Sequence, residues 1–208
     1  MADEETRADI AESEPETSEL DLRVHKIRFD ALWNALYHTA RRRRLEALDR
    51  LFNFLVIILG TSAAADLGKL FSVVPSWLTP VLAFAAATVG AAQLVYSPGS
   101  RARDHQLLQS RYYKILAQIS EQQDYADRCA GWEGATKRIA GDEPPGKLLP
   151  QAQAYNYASN TLGCAPDYLL VIPLWLHVLG HFLSFDGVHL ERRSEVAERA
   201  EKLKKARS

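Results

Sequence analysis

Two apolar runs decide the fold: LFNFLVIILGTSAAADLGKLF (51–71) and, after the short link SVVPS (72–76), WLTPVLAFAAATVGAAQLVY (77–96). A bilayer core of roughly 30 Å takes about 20 mostly apolar residues at about 1.5 Å each. Trp77 to Tyr96 meets that length without a charge and carries an aromatic residue at each end, as a span does at the two membrane interfaces. The first run is uncharged from Leu51 to Ala65, and then Asp66 and Lys69 follow at a spacing that lets them pair. Asp66 lies about 22 Å along the helix from Leu51, near the far edge of the core. A charge costs much less there than the roughly 2.5–3.5 kcal/mol it costs at mid-bilayer. The pattern predicts a transmembrane helical hairpin over residues 51–96. The competing reading is a water-soluble bundle with two buried helices, but such helices seldom run this long without a polar face. A cleaved signal peptide does not fit a run that starts some fifty residues in and lacks the usual flanks.

Basic residues set the orientation. Arg41, Arg42, Arg43, Arg44 and Arg50 precede the first run, and Arg101, Arg103, Arg111 and Lys114 follow the second, while the link side offers only Lys69, offset by Asp66. Both ends of the hairpin are therefore expected on the cytoplasmic side of a cell inner membrane. Arg41–Arg44 would act as topology determinants and headgroup anchors at about 1 kcal/mol per basic residue, with Trp77 and Tyr96 as further surface anchors. A nucleic-acid reading of RRRR is the weaker alternative.

The chain of 208 residues has a formal net charge of −1, which hides a strong asymmetry. Residues 1–21 hold nine acids against Arg7 alone, too little apolar surface to fold on its own, so a disordered acidic tail is expected there. Residues 22–50 read as a cytoplasmic juxtamembrane helix, with Phe29, Leu32, Leu36 and Ala40 at helical spacing beside Trp33 and Tyr37. Residues 100–163 read as a cytoplasmic helical region. Its first helix carries His105, Leu108, Tyr112, Ile115 and Ile119 in about two heptads of an a/d seam, a natural partner for the Phe29–Leu36 stripe. Two shorter helices, Tyr125 to Ala140 and Lys147 to Leu162, are separated by GDEPPG (141–146), whose prolines stop the first. Gly163 ends the second. The stretch YLLVIPLWLHVLGHFLSF (168–185) is apolar but contains Pro173. Exporting the basic tail 190–208 would oppose the positive-inside bias. An apolar interfacial or re-entrant helix is thus preferred to a third span, with a charged, solvated helix after it. The fold class is an all-α membrane protein: a two-transmembrane helical hairpin with cytoplasmic helical extensions and a C-terminal interfacial helix.

Close packing of small residues and a few hydrogen bonds hold membrane helices together. Gly60 and Ala64 in the first run, and Ala83, Ala87 and Ala91 with Gly90 on the neighbouring row in the second, are candidate packing positions within or between chains. In an antiparallel pair, Asn53 and Gln93 fall at one depth and Thr61 and Thr88 at another. They either satisfy each other by hydrogen bonding or line a water-filled path in an oligomer. Chemistry is sparse. There is no phosphate-binding glycine loop and no nucleophile elbow. Cys129 and Cys164 are too far apart in sequence for a zinc motif and read as reduced structural thiols. His177 and His181, with Asp186 and His189 downstream, are spaced to ligate a metal, but without the intervening Glu of a metalloprotease helix interfacial histidines fit better. No catalytic, cofactor or metal site is expected, and the chain reads as a non-enzyme.

The arrangement resembles the SLATT superfamily, bacterial two-transmembrane effector domains associated with nucleotide-signalling defence. The residues that carry the likeness are ARRRRLEALDRLFNFLVIILGTSAAA (40–65), the second apolar run, and RARDHQLLQSRYYKILAQI (101–119), within roughly Val24 to Glu121. The resemblance implies a homo-oligomeric membrane protein that forms pores or perturbs the membrane when a partner senses infection. This chain carries no recognisable fused nucleotide-binding domain, so the sensor would be a separate protein. It also has the third apolar stretch, which the family plan does not require. The alternative is a non-catalytic structural or assembly subunit of a larger membrane complex. Membrane lipids are expected partners on either reading, and nucleic acid is not.

Overall fold

The structure is a computed structural model that describes residues 2–64, 77–121, 126–180, 185 and 188–205, with side chains from Glu19 onward except at 62–64, 178 and 179. The described residues are all-helical: α1 (Ala2–Ala64), α2 (Leu78–Tyr96), α3 (Pro98–Glu121), α4 (Ala126–Gly141), α5 (Leu148–Thr161), a 3-10 turn (Pro166–Tyr168), α6 (Leu174–Leu179) and α7 (Arg193–Lys205). The link between the two apolar runs lies outside the described residues. The chain divides into a large unit, Met1–Ala40 with Leu107–Ser208, and a small unit, Arg41–Gln106.

The acidic segment expected to be a disordered tail is instead the start of α1. Asp3, Glu4 and Glu5 sit in its first turn, where negative charge complements the exposed amide end of a helix.

The core of the large unit joins three helices. Val24, Ile27, Ala31 and Ala35 of α1 cluster with Leu108, Tyr112, Ile115 and Ile119 of α3 and with Cys129, Trp132 and Ile139 of α4. The seam on α3 is the one its heptad spacing marks. The row on α1 is not the expected one: Phe29, Leu32 and Leu36 are only half-buried. Interiors are close-packed, so large side chains on one element need small ones among their neighbours. Ala31 and Ala35 supply these in the core that holds Tyr112 and Trp132. Phe29 and Trp33 of α1 turn toward α5 instead. There Phe29 meets Tyr155 edge-on at 5.2 Å, Trp33 stands at 89° to the same ring, and Trp33 Nε1 donates to the Gln151 carbonyl at 2.9 Å.

Helix α5 ends as its glycine predicts. Gly163 takes a left-handed φ of 69°, and Cys164 N–H reaches back to the Ser159 carbonyl at 2.9 Å. This closes the turn in the manner of a Schellman cap.

The stretch 168–185 is not one helix, and the expected interfacial or spanning helix is corrected here. Leu170 pairs with Arg192 in an isolated antiparallel bridge. Val171 N–H donates to Glu191 O at 2.8 Å, and Arg193 N–H donates to Leu169 O at 2.9 Å. The Asn156 side chain clamps the Leu170 peptide from both sides, accepting from its N–H at 2.8 Å and donating to its carbonyl at 2.9 Å. With the backbone held extended and Pro173 at the entry, only the six-residue α6 follows. Its apolar content serves a second cluster, in which Leu176 and Leu190 pack with Leu149 and Ala152 of α5 and with Leu170, Ile172 and Phe185 at the margin. Residues 181–184 lie outside the described residues. Helix α7 is exposed along its whole length.

Candidate functional site

The small unit is built on the α1 segment from Arg41, on α2 and on the start of α3, with Leu45, Pro98, Ala102 and His105 buried. Asp49 lies against Gly99, its carboxylate about 3.1 Å from where a Cβ would stand. Asn53 lies against Gln93, whose Nε2 donates to Asn53 Oδ1 at 2.9 Å. Numbers that rise on α1, from Asp49 to Asn53, as they fall from Gly99 at the start of α3 to Gln93 in α2 make α1 and α2 antiparallel. Asn53 Nδ2 donates in turn to Asp49 at 3.3 Å, so the two amides and the carboxylate form one polar rung.

Thr61 and Thr88 are not brought together. Each hydroxyl turns back on its own helix, Thr61 to the Ile57 carbonyl and Thr88 to the Phe84 carbonyl at 2.8 Å. In the register set by Asn53 and Gln93, position 61 stands opposite 85 and not 88.

The small residues divide. Ala83, Ala87 and Ala91 face outward, whereas Gly60 and Gly90 are half-covered. A Cβ added at Gly60 or Gly90 would meet nothing within 4 Å, so no backbone approach among the described residues requires glycine there. The side chain of Ala64 lies outside the described residues.

What the small unit leaves uncovered is mostly apolar. Phe54 is 59% exposed, Ile57 62%, Phe84 75%, Leu94 80% and Val95 85%. The run Leu78–Glu121 is long and apolar enough to cross a membrane, and none of its apolar window is buried. Of the residues expected from sequence to act as surface anchors, Trp77 directly precedes α2 and Tyr96 is its last residue. Trp77 is exposed, and the Arg101 guanidinium lies 4.5 Å from the centre of the Tyr96 ring. Arg42 pairs with Glu46 at 2.9 Å. Burial, and then the neighbouring charge of Arg41, hold the Arg44 guanidinium below its usual range. Helix α2 stops where Ser97 adopts a left-handed conformation (φ 45°) and caps with its N–H on Gln93 O at 2.8 Å. Pro98, which has no N–H to lose, opens the next helix.

The large unit holds a polar cluster that the sequence did not announce. His38 is fully buried, and its Nε2 lies 3.1 Å from Glu143 Oε1. The Tyr112 hydroxyl donates to the same carboxylate oxygen and stacks on the His38 ring with centroids 5.9 Å apart. Next to Glu143, Asp142 binds Arg111 at 2.6 Å, and Lys147 N–H donates to the Tyr37 hydroxyl at 3.2 Å. The GDEPPG segment is thus tied to α1 and α3 and does more than separate two helices. Burial first, and then the bond to Glu143, push the Tyr112 hydroxyl far above its usual range. It stays protonated and serves as a fixed donor. The cluster positions a loop, and a phenol held so firmly protonated has no use as a base or nucleophile at neutral pH.

Among the described residues no group of three or more His, Cys, Asp or Glu side chains is placed to hold a metal. His177 is exposed, and His181 and Asp186 lie outside the described residues. Cys129 is buried and Cys164 half-buried, both as free thiols. The chain matches no family model, no curated protein and no solved structure.

Proposed function

We propose that the small unit is a two-span membrane hairpin with both ends in the cytoplasm, and that the protein is a homo-oligomeric effector resembling SLATT proteins. On this reading it forms a pore or perturbs the bilayer under the control of a separate sensor. One observation carries the membrane placement: both antiparallel helices point their largest apolar side chains away from any protein core. In water such a surface marks an association or membrane site, while in a bilayer lipid covers it and the adjoining arginines meet anionic headgroups. The outward row Ala83, Ala87, Ala91 is available for contact between copies. Purified protein reconstituted into vesicles loaded with a self-quenching dye should release the dye, and induced expression should depolarise cells. Intact vesicles holding assembled protein, together with normal potential in triggered cells, would refute the effector role.

A non-catalytic assembly subunit is the second reading. The Asn53–Gln93 bond favours it, because those amides satisfy each other and leave less polarity for a pore lining. It requires fixed-stoichiometry co-purification with other subunits in mild detergent, and recovery of the homo-oligomer alone would count against it.

A further inference from the structure

A groove of about 360 Å³ on the large unit is lined by side chains of α1, of α5 and of the turn that follows α5. The volume lies at the small end of the range for ligand sites, roughly 300–1,000 Å³. Its wall is aromatic and held in place. Phe29 and Tyr155 meet edge to face, and Trp33 braces Tyr155 from behind while its own N–H is tied to Gln151 O. Tyr168, half-exposed, completes the lining.

Ser159 also lines the groove. It is fully buried, yet its hydroxyl has no hydrogen-bond partner among the described residues. Helical serines commonly return such a hydroxyl to their own backbone, as Ser120 and Thr161 do here. A buried hydroxyl without a partner is costly unless a ligand atom supplies one. Lys26 and His25, both exposed, stand beside the rings. Lys26 also borders a second cleft, where it stands with Asp30 and Glu133 beside Arg23 and Lys137.

We infer that this groove binds a small planar aromatic anion. Its ring lies against Phe29, Tyr155 and Tyr168, a polar edge atom bonds the Ser159 hydroxyl, and the anionic group meets Lys26 and His25. The inference does not depend on the membrane reading, since every residue it uses belongs to the large unit.

Cys164 lines the same groove, and the other cysteine, Cys129, is buried in the core, so alkylation of Cys164 reports occupancy against an internal reference. The full chain in lipid nanodiscs would be treated with N-ethylmaleimide with and without 2-naphthoate, and each cysteine followed by peptide mass spectrometry. Saturating 2-naphthoate should slow Cys164 several-fold and leave Cys129 unchanged. Lys26→Gln and Ser159→Ala should each raise the half-protecting concentration about tenfold, the size expected for losing one charge-assisted or buried hydrogen bond. The neutral naphthalene-2-carboxamide should protect correspondingly less. Absence of protection, equal protection by the carboxamide, or protection that survives Lys26→Gln would overturn the proposal. Lys26 is an exposed position, so its variant keeps the test valid even if Ser159→Ala perturbs folding.

Discussion

Helix α1 passes through both units and is used in opposite ways in each. Between Val24 and Ala35 it turns small and medium side chains inward against Tyr112 and Trp132. Between Leu51 and Thr61 it turns Phe54, Ile57 and Ile58 outward. The first arrangement is that of a water-soluble core, where apolar bulk is hidden and small residues set the helix spacing. The second, on the membrane placement proposed above, is that of a surface whose solvent is itself apolar. One continuous helix thus supplies a test of environment, because the same kind of substitution should have different consequences in its two halves and in the helices packed beside them.

The largest contrast is between Trp132 and Phe84. Trp132→Ala should destabilise the large unit by about 3–5 kcal/mol, the range for emptying a buried aromatic site, read as faster hydrogen exchange in the carboxy-terminal half of α3. Phe84→Ala should change the stability of the protein in nanodiscs by no more than about 0.5 kcal/mol. A large loss at Phe84 would mean that protein and not lipid covers it.

Next comes a charge on the outward face. Ala87→Arg near the middle of α2 should cost roughly 2.5–3.5 kcal/mol of membrane insertion, seen as a large drop in the carbonate-resistant fraction. Unchanged partitioning would break the membrane half of the comparison.

Tyr112→Phe should cost about 1.5–3 kcal/mol, the range for a hydrogen bond to a charged group. Its pH signature follows from linkage. The folded phenol titrates above the unfolded one, so the stabilisation is complete below about pH 10 and declines as the pH rises beyond it. The variant should lack that alkaline decline in urea titrations.

A double-mutant cycle on Asn53→Ala and Gln93→Ala should give a coupling of about 0.6 kcal/mol, the average for such bonds between membrane helices. Conductance that changes without any coupling would move these residues from packing to a water path. The smallest effect is at Asp30, whose carboxyl is pushed up by burial against the opposing pull of Lys26. A raised folded pKa in an acid means that stability falls as the pH climbs through the carboxylate range. Asp30→Asn should therefore stabilise by a few tenths of a kcal/mol near neutrality and by nothing in strong acid, measured as a shift in thermal midpoint.

The Asn53–Gln93 rung is legible because a short link between two apolar runs of similar length leaves little freedom in depth. The Thr61–Thr88 layer is not, since a three-residue error in register rotates a side chain most of the way round a helix. The row Phe29, Leu32, Leu36 has the helical spacing of a buried face, and the size of Tyr112 and Trp132 is what keeps it out of the core. In the sequence Glu143 is only part of a proline-rich break. Nothing near it in sequence hints at His38, which lies 105 positions away.

Local chemistry, then, was enough to mark some of the helices and their ends, though neither the start of α1 nor the course of 168–180. Charge-free length marks 77–96, and proline and glycine punctuate the chain at Pro144 and Gly163, because each of these depends on a few consecutive residues. Only the tertiary structure decided which face of α1 is buried, that 169–172 runs extended under the grip of Asn156, and that one carboxylate serves both His38 and Tyr112. Those outcomes depend on the rotation of one helix against another and on the path of loops, and both are set by packing between residues far apart in the chain.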